Sequence, residues 1–178
     1  MNRLPVFFFA LALTLGGCSL TVPDISLDQA FYFTIRRVED TRGQTYLIDQ
    51  QGKILALDTE APFASWELVE DTLFWAEEDV ALSLNLDHPE VAQVEEDQLK
   101  RWVDGIPPNE GITVNAAALP CCGLPITDYV AWVYEPEEGR YRSVFLGTLV
   151  GEETEYRLHR TRQGRRLARE LQKINFVN

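Results

Sequence analysis

Apolar and polar residues alternate along much of the chain after residue 30, which predicts a domain of short β-strands. The stretch FYFTIRRV (31–38) alternates at a period of two, the spacing of a strand with one buried face. QTYLIDQQGKILALDT (44–59) has two such runs around Gln50-Gln51-Gly52, which predicts a hairpin. SWELV, TLFWA and VALSLNL follow, divided by acidic turns such as 77–79, and indicate further strands. A helix through 64–76 is the alternative.

The clearest strand pattern lies near the end of the chain. DYVAWVYEPEEGRYRSVFLGTLVGEETEYRLHRT predicts three antiparallel strands, with turns at Pro136–Gly139 and at Gly151-Glu152. The glycines of LGTLVG fit a bent strand followed by a turn.

One central helix interrupts the strands. Asp87 or His88 is placed as its N-cap, with Pro89 at the first helical position. Glu96–Lys100 and Asp97–Arg101 are spaced as i,i+4 ion pairs along it, and Gly105, Pro107 and Pro108 end it. Trp102 on this helix is predicted to pack against the sheet.

A second helix is predicted at the C-terminus, with one basic and one apolar side. Leu167, Leu171 and Ile174 share the apolar side. The opposite side carries five cations within an arc of about 100°: Arg162, Arg165, Arg166, Arg169 and Lys173. Two interpretations stay open: a terminal helix packed by its leucines with a solvated or internally paired basic face, or a basic face that binds anionic lipid headgroups or envelope polymers.

These elements together predict an α+β fold, with a largely antiparallel sheet, a central helix and a short C-terminal basic helix. Residues 31–178 are expected to form one domain, because no linker or internal repeat divides them.

The N-terminus, MNRLPVFFFALALTLGGCSL, has the layout of a secretory signal. Arg3 precedes the apolar run 6–15, which is too short to span a bilayer as a helix. The four residues LGGC (15–18) resemble the lipobox of bacterial lipoprotein precursors. This resemblance covers the first 18 to 20 residues and carries nothing about the domain behind them.

The lipobox resemblance implies that residues 1–17 are a signal peptide and that Cys18 becomes the lipidated first residue of the mature chain. Residues 18–30 would then be the anchor and its tether. Ser19 implies sorting to the outer membrane, with the domain facing the periplasm. An ordinary cleaved signal, in which Cys18 is incidental, is the alternative.

Lipidation of Cys18 leaves two adjacent cysteines, Cys121 and Cys122, in ALPCCGLP. Neighbouring Cα atoms lie about 3.8 Å apart, below the usual disulfide range of about 4.4–6.8 Å, so a disulfide between these cysteines would be strained. Two buried thiols, or a disulfide to another chain, are the alternatives. No CxxC occurs, and His88 and His159 lie more than thirty residues away, so no metal site is predicted.

Charge and motifs narrow the function classes. All 28 acids and all but one of the 16 Lys and Arg residues follow residue 17, a net charge of −13 that argues against nucleic-acid binding. The last 22 residues alone carry +6. No catalytic or cofactor motif is present.

Two function classes remain after this exclusion. We expect a non-enzymatic lipid-anchored envelope protein that binds a protein or polymer partner. The alternative is a thiol-redox or hydrolytic envelope enzyme that uses Cys121 and Cys122 or unassigned carboxylates.

Overall fold

The computed structural model describes most of the predicted domain. The described residues are 31–39, 42–57, 73–84, 86–108, 110–115, 117, 124–151 and 154–174. The tether, the stretch 58–72 and the residues 118–123 lie outside them, so the SWELV prediction and most of the alternative helix through 64–76 do too.

Nine strands and three helices make up the described residues. In chain order they are β1 (Phe31–Glu39), β2 (Arg42–Ile48), β3 (Lys53–Leu57), β4 (Phe74–Ala76), α1 (Glu77–Leu84), β5 (Glu90–Gln93), α2 (Glu96–Val103), β6 (Ile112–Val114), β7 (Ile126–Glu135), β8 (Arg140–Val150), β9 (Thr154–His159) and α3 (Arg162–Gln172). None of these helices is long and apolar enough to cross a membrane.

The strands form one antiparallel sheet in the order β5-β3-β2-β1-β7-β8-β9-β6. The short β4 pairs with the first residues of β8, on the edge of β8 that β9 occupies further along. The α+β class with a largely antiparallel sheet is therefore confirmed, as are β1, the β2–β3 hairpin and the β7–β8–β9 meander.

Two helices cover one face of the sheet. Phe33 and Ile35 of β1 and Leu146 of β8 form a core with Trp102 of α2 and Leu171 of α3. Trp102 is 2% exposed, and its ring meets Phe33 edge-on at a centroid distance of 6.1 Å. The predicted packing of Trp102 against the sheet is confirmed.

The opposite face of the sheet has its own apolar cluster. Trp132 and Phe145 are almost fully buried there, and Val80 of α1 packs with them. Because β7 and β8 contribute to both clusters, nearly every residue of β8 after Arg142 is buried. A strand buried on both faces is a near-continuous apolar run, as VFLGTLV is.

A bulge lies where the sequence predicts a bent strand. Tyr129 pairs with Gly147, but Val130 pairs with Phe145, so Leu146 is an extra residue on β8. The bulge keeps Leu146 in the core on the helix side and lets Thr148 face the other side with Asp128.

Two sequence predictions in the middle of the chain are wrong. VALSLNL is not a strand, because residues 77–84 form the helix α1. The acids 77–79 lie in its first turn, where their negative charge interacts favourably with the positive end of the helix dipole. The central helix does not begin near Pro89, because Glu90–Gln93 is strand β5, paired with β3. His88 consequently does not cap that helix; its Nε2 lies 2.6 Å from the Ser83 carbonyl at the end of α1.

The helix α2 begins only at Glu96, and its two predicted ion pairs are also wrong. Neither Lys100 nor Arg101 makes an ion pair with an acid within the described residues. The helix ends at Val103, just before Gly105 and the two prolines, as predicted.

Candidate functional site

The basic helix α3 is docked on the sheet by its apolar side. Leu167 is 3% exposed and Leu171 is fully buried, and both belong to the core formed with α2 and the sheet. Ile174, just after the helix, is partly buried against the same core. Because the leucines are used in packing, the cations on the opposite side are held outward.

The structure keeps most of the predicted cations on the outer side of α3. Arg162, Arg166, Arg169 and Lys173 are exposed, whereas Arg165 is half-buried. Arg169 Nε lies 3.0 Å from Glu155 Oε1, and Lys173 Nζ lies 2.9 Å from Glu170 Oε1. The side chains of Arg162, Arg165 and Arg166 have no ion pair or hydrogen bond within the described part of the chain.

A buried histidine contacts the first turn of α3 and fixes its position. His159, the last residue of β9, is 1% exposed. Its Nδ1 accepts from the Thr161 N–H at 3.1 Å and lies 2.9 Å from Thr161 Oγ1, which in turn accepts from the Gly164 N–H at 3.1 Å. Thr161 is therefore the N-cap of α3, and the imidazole holds this cap in place.

The helix approaches His159 so closely that residue 164 must be glycine. A Cβ built on Gly164 would lie 2.5 Å from His159 Cγ. Glycine has a low intrinsic helix propensity, but here the missing side chain of Gly164 is what lets α3 pass over the imidazole.

Burial sets the protonation of this histidine. Burial lowers the pKa of His159 below its ordinary 6.5, while the Pro108 carbonyl and the Glu110 carboxylate oppose that shift and Arg165 adds to it. With Nδ1 used as an acceptor, the neutral ring carries its proton on Nε2, which meets no acceptor in good hydrogen-bond geometry within the described residues. A second proton on Nδ1 would displace the Thr161 N–H.

A groove of about 360 Å³ runs between α2 and α3. Trp102 and Leu167 line its base, and Arg101 of α2 and Arg166 of α3 stand at its walls. Sequence patterns do not reveal this groove, since it depends on how closely the two helices pack.

A half-buried carboxylate lies on the other face of the sheet. Arg36, Asp128, Thr148 and Arg157 are neighbours across β1, β7, β8 and β9. Thr148 Oγ1 donates to Asp128 Oδ1 at 2.5 Å. Burial raises the pKa of Asp128, against the Thr148 hydrogen bond and the two arginines, which lower it. Strand periodicity could have predicted that Asp128 lies on this face, because it falls on the same side of β7 as Val130 and Trp132.

The predicted cysteine sites lie outside the described residues. These are the lipidation site Cys18 and the adjacent pair Cys121 and Cys122. Within the described residues, no group of three or more His, Cys, Asp or Glu side chains is placed to hold a metal ion.

Comparison of the chain with models of known protein families, with curated proteins and with solved structures finds no match.

The contact between Gly164 and His159 predicts that a Gly→Ala substitution here destabilises the protein, the opposite of its usual effect within a helix. Inside a helix, Gly→Ala ordinarily adds about 1 kcal/mol of stability. Here we expect Gly164→Ala to lower the free energy of unfolding by about 1–3 kcal/mol, because the new methyl group overlaps the imidazole. Urea unfolding of the full chain measures this change.

The matched control for Gly164→Ala is the same substitution in a His159→Ala background. The ring atoms are then gone and only the Cβ at 2.7 Å remains, so the penalty should shrink. A Gly164→Ala protein as stable as the parent would contradict the contact.

His159 also predicts how stability depends on pH. Its pKa is lower in the folded state than the 6.5 of the unfolded chain, so the unfolded state binds more protons as the pH falls below about 6.5. Its contribution to stability is therefore present at about pH 7.5 and is lost on acidification. In urea unfolding we expect the parent to lose more stability between about pH 7.5 and 5.5 than His159→Gln does. Equal losses in the two proteins would rule out this role of His159.

Proposed function

We propose that the chain is a lipid-anchored lipoprotein of the bacterial cell envelope, held at the outer membrane through Cys18 and facing the periplasm. Its role is non-enzymatic: the basic helix α3 docks the folded domain on the anionic headgroups of the membrane that carries it. The motif LGGC at 15–18 supports the anchor, and the geometry of α3 supports the docking.

One observation carries the docking proposal. Leu167 and Leu171 are buried in the core, so α3 has no apolar side that could insert into a bilayer while the domain stays folded. What it offers to the outside is a row of four exposed cations, two of which, Arg162 and Arg166, have no partner within the described residues. Such a surface is attracted to anionic headgroups by about 1 kcal/mol per cation.

The rest of the domain favours the same orientation. Outside the last 22 residues, the chain from Cys18 onward carries a net charge of −19, which an anionic surface repels. Attraction at α3 and repulsion elsewhere turn the helix toward the membrane, although the protein as a whole is acidic.

The tether makes weak docking sufficient. Between Cys18 and the start of β1 the chain spans at most about 45 Å, at roughly 3.3–3.6 Å per residue. An anchored domain therefore never leaves the neighbourhood of the surface, and docking becomes an intramolecular step at high effective concentration.

The anchor is tested by Cys18→Ala. We expect this variant to lose incorporation of labelled fatty acid and to accumulate as precursor or as released protein, because the thiol that forms the thioether is absent. Cell fractionation and intact mass measure both effects. Cys122→Ser is the matched control, since it removes a thiol but leaves the anchor. Unchanged lipid labelling in Cys18→Ala would overturn the proposal.

Docking is tested on the full chain in vesicles of phosphatidylcholine with and without phosphatidylglycerol. Hydrogen exchange of α3 should slow in the anionic vesicles at low salt and recover at high salt. Replacing Arg162, Arg169 and Lys173 by Gln removes about 3 kcal/mol of attraction, about a 100-fold lower ratio of docked to free domain.

The control for the docking test is a triple Gln variant at Arg37, Arg42 and Lys53, which are exposed on β1 to β3 and change the net charge equally. It should keep most of the protection. Equal loss in both triple variants would mean that net charge, not α3, governs docking, and no lipid dependence in the parent would contradict docking altogether. Protection by anionic polysaccharide in place of lipid would assign α3 to an envelope polymer instead.

A further inference from the structure

The groove between α2 and α3 has the composition of a small-ligand site. Its volume of about 360 Å³ lies at the lower end of the range for such sites. Its base is apolar and rigid, because Trp102 and Leu167 are 2% and 3% exposed and belong to the main core. Its walls are polar and come from both helices.

The walls present two cations without internal partners. Arg101 and Arg166 are exposed, lie on different helices, and have no ion pair or side-chain hydrogen bond within the described residues. The neighbouring acid Glu170 is already engaged by Lys173 at 2.9 Å. Two unpaired guanidinium groups facing one groove favour a ligand that carries a carboxylate, which arginine binds with paired hydrogen bonds.

Neutral and acidic side chains in the same groove can form hydrogen bonds with hydroxyl groups of a ligand. The Nε2 of Gln163 donates to the carbonyls of Asp104 and Ile106 at 3.2 and 3.4 Å, which fixes this side chain and leaves its amide oxygen as an acceptor. Gln98 and the carboxylate of Asp104 add further polar atoms at the walls. A simple inorganic anion would leave these acceptors unused.

We infer that the α2–α3 groove binds a sugar acid, a ring bearing several hydroxyl groups and one carboxylate. The carboxylate lies between Arg101 and Arg166, and the hydroxyl groups meet Gln163, Gln98 and Asp104. The groove shares Arg166 with the outward side of α3, but its other arginine, Arg101, belongs to α2. The docking test leaves both groove arginines intact, so the two proposals are measured independently.

The test is calorimetric titration of the full chain, in vesicles of phosphatidylcholine alone, with galacturonate as the probe. Galactose lacks the carboxylate and acetate lacks the hydroxyl groups, so each should bind at least about 10-fold more weakly than galacturonate. Arg101→Gln should weaken galacturonate binding about 10–100-fold. Lys100→Gln, the adjacent exposed cation that does not line the groove, should change it less than about 2-fold.

Several outcomes would overturn this inference. They are absence of saturable galacturonate binding, equal affinity for acetate and galacturonate, and equal effects of Arg101→Gln and Lys100→Gln. None of them bears on membrane docking, which is measured without sugar. Conversely, a chain that ignores anionic vesicles but binds galacturonate through Arg101 would keep the groove and lose the docking proposal.

Discussion

The apolar character of both faces of β7 and β8 is the constraint on which the rest of the described structure depends. Trp132 and Phe145 are buried on one side, and Ala131 and Leu146 on the other. A sheet of this kind must be covered twice, because each exposed apolar side chain would cost about 1.5–3 kcal/mol. α2 and α3 cover one face, and α1 with Leu73 and Trp75 packs on the other. The position of the basic helix follows from this requirement.

Strand periodicity predicted the strands that are joined by short turns better than the elements in the middle of the chain. β1, β2, β3 and the β7–β8–β9 meander follow from alternation together with the turn residues between consecutive strands. VALSLNL fits a strand as well as a helix, because a short apolar run satisfies both periods. Its preceding acids decide for a helix by occupying the first turn. Helix-start signals at 87–89 precede residues 90–93, but pairing with β3 stabilises these residues as a strand instead.

The candidate site divides in the same way. The two-sided character of α3 is a property of one segment, so a helical period was enough to predict its buried leucines and outward cations. The hydrogen bond between Thr161 and His159 and the groove lined by Arg101 both depend on how β9, α2 and α3 pack together. Sequence spacing does not carry that information. Gly164 is an example: glycine is required at this position because the helix passes close to His159, a contact that helix propensity alone does not predict.

The order of the strands bears on when this chain can fold. β1 is the first strand among the described residues, yet it lies in the middle of the sheet between β2 and β7. Trp132 Nε1 donates to Thr34 Oγ1 at 2.8 Å across 98 positions of the chain. The centre of the sheet therefore cannot close until most of the polypeptide has been synthesised, and such distant pairings form slowly. A chain that stays open for so long remains threadable, which is a requirement for the export across a membrane that we propose.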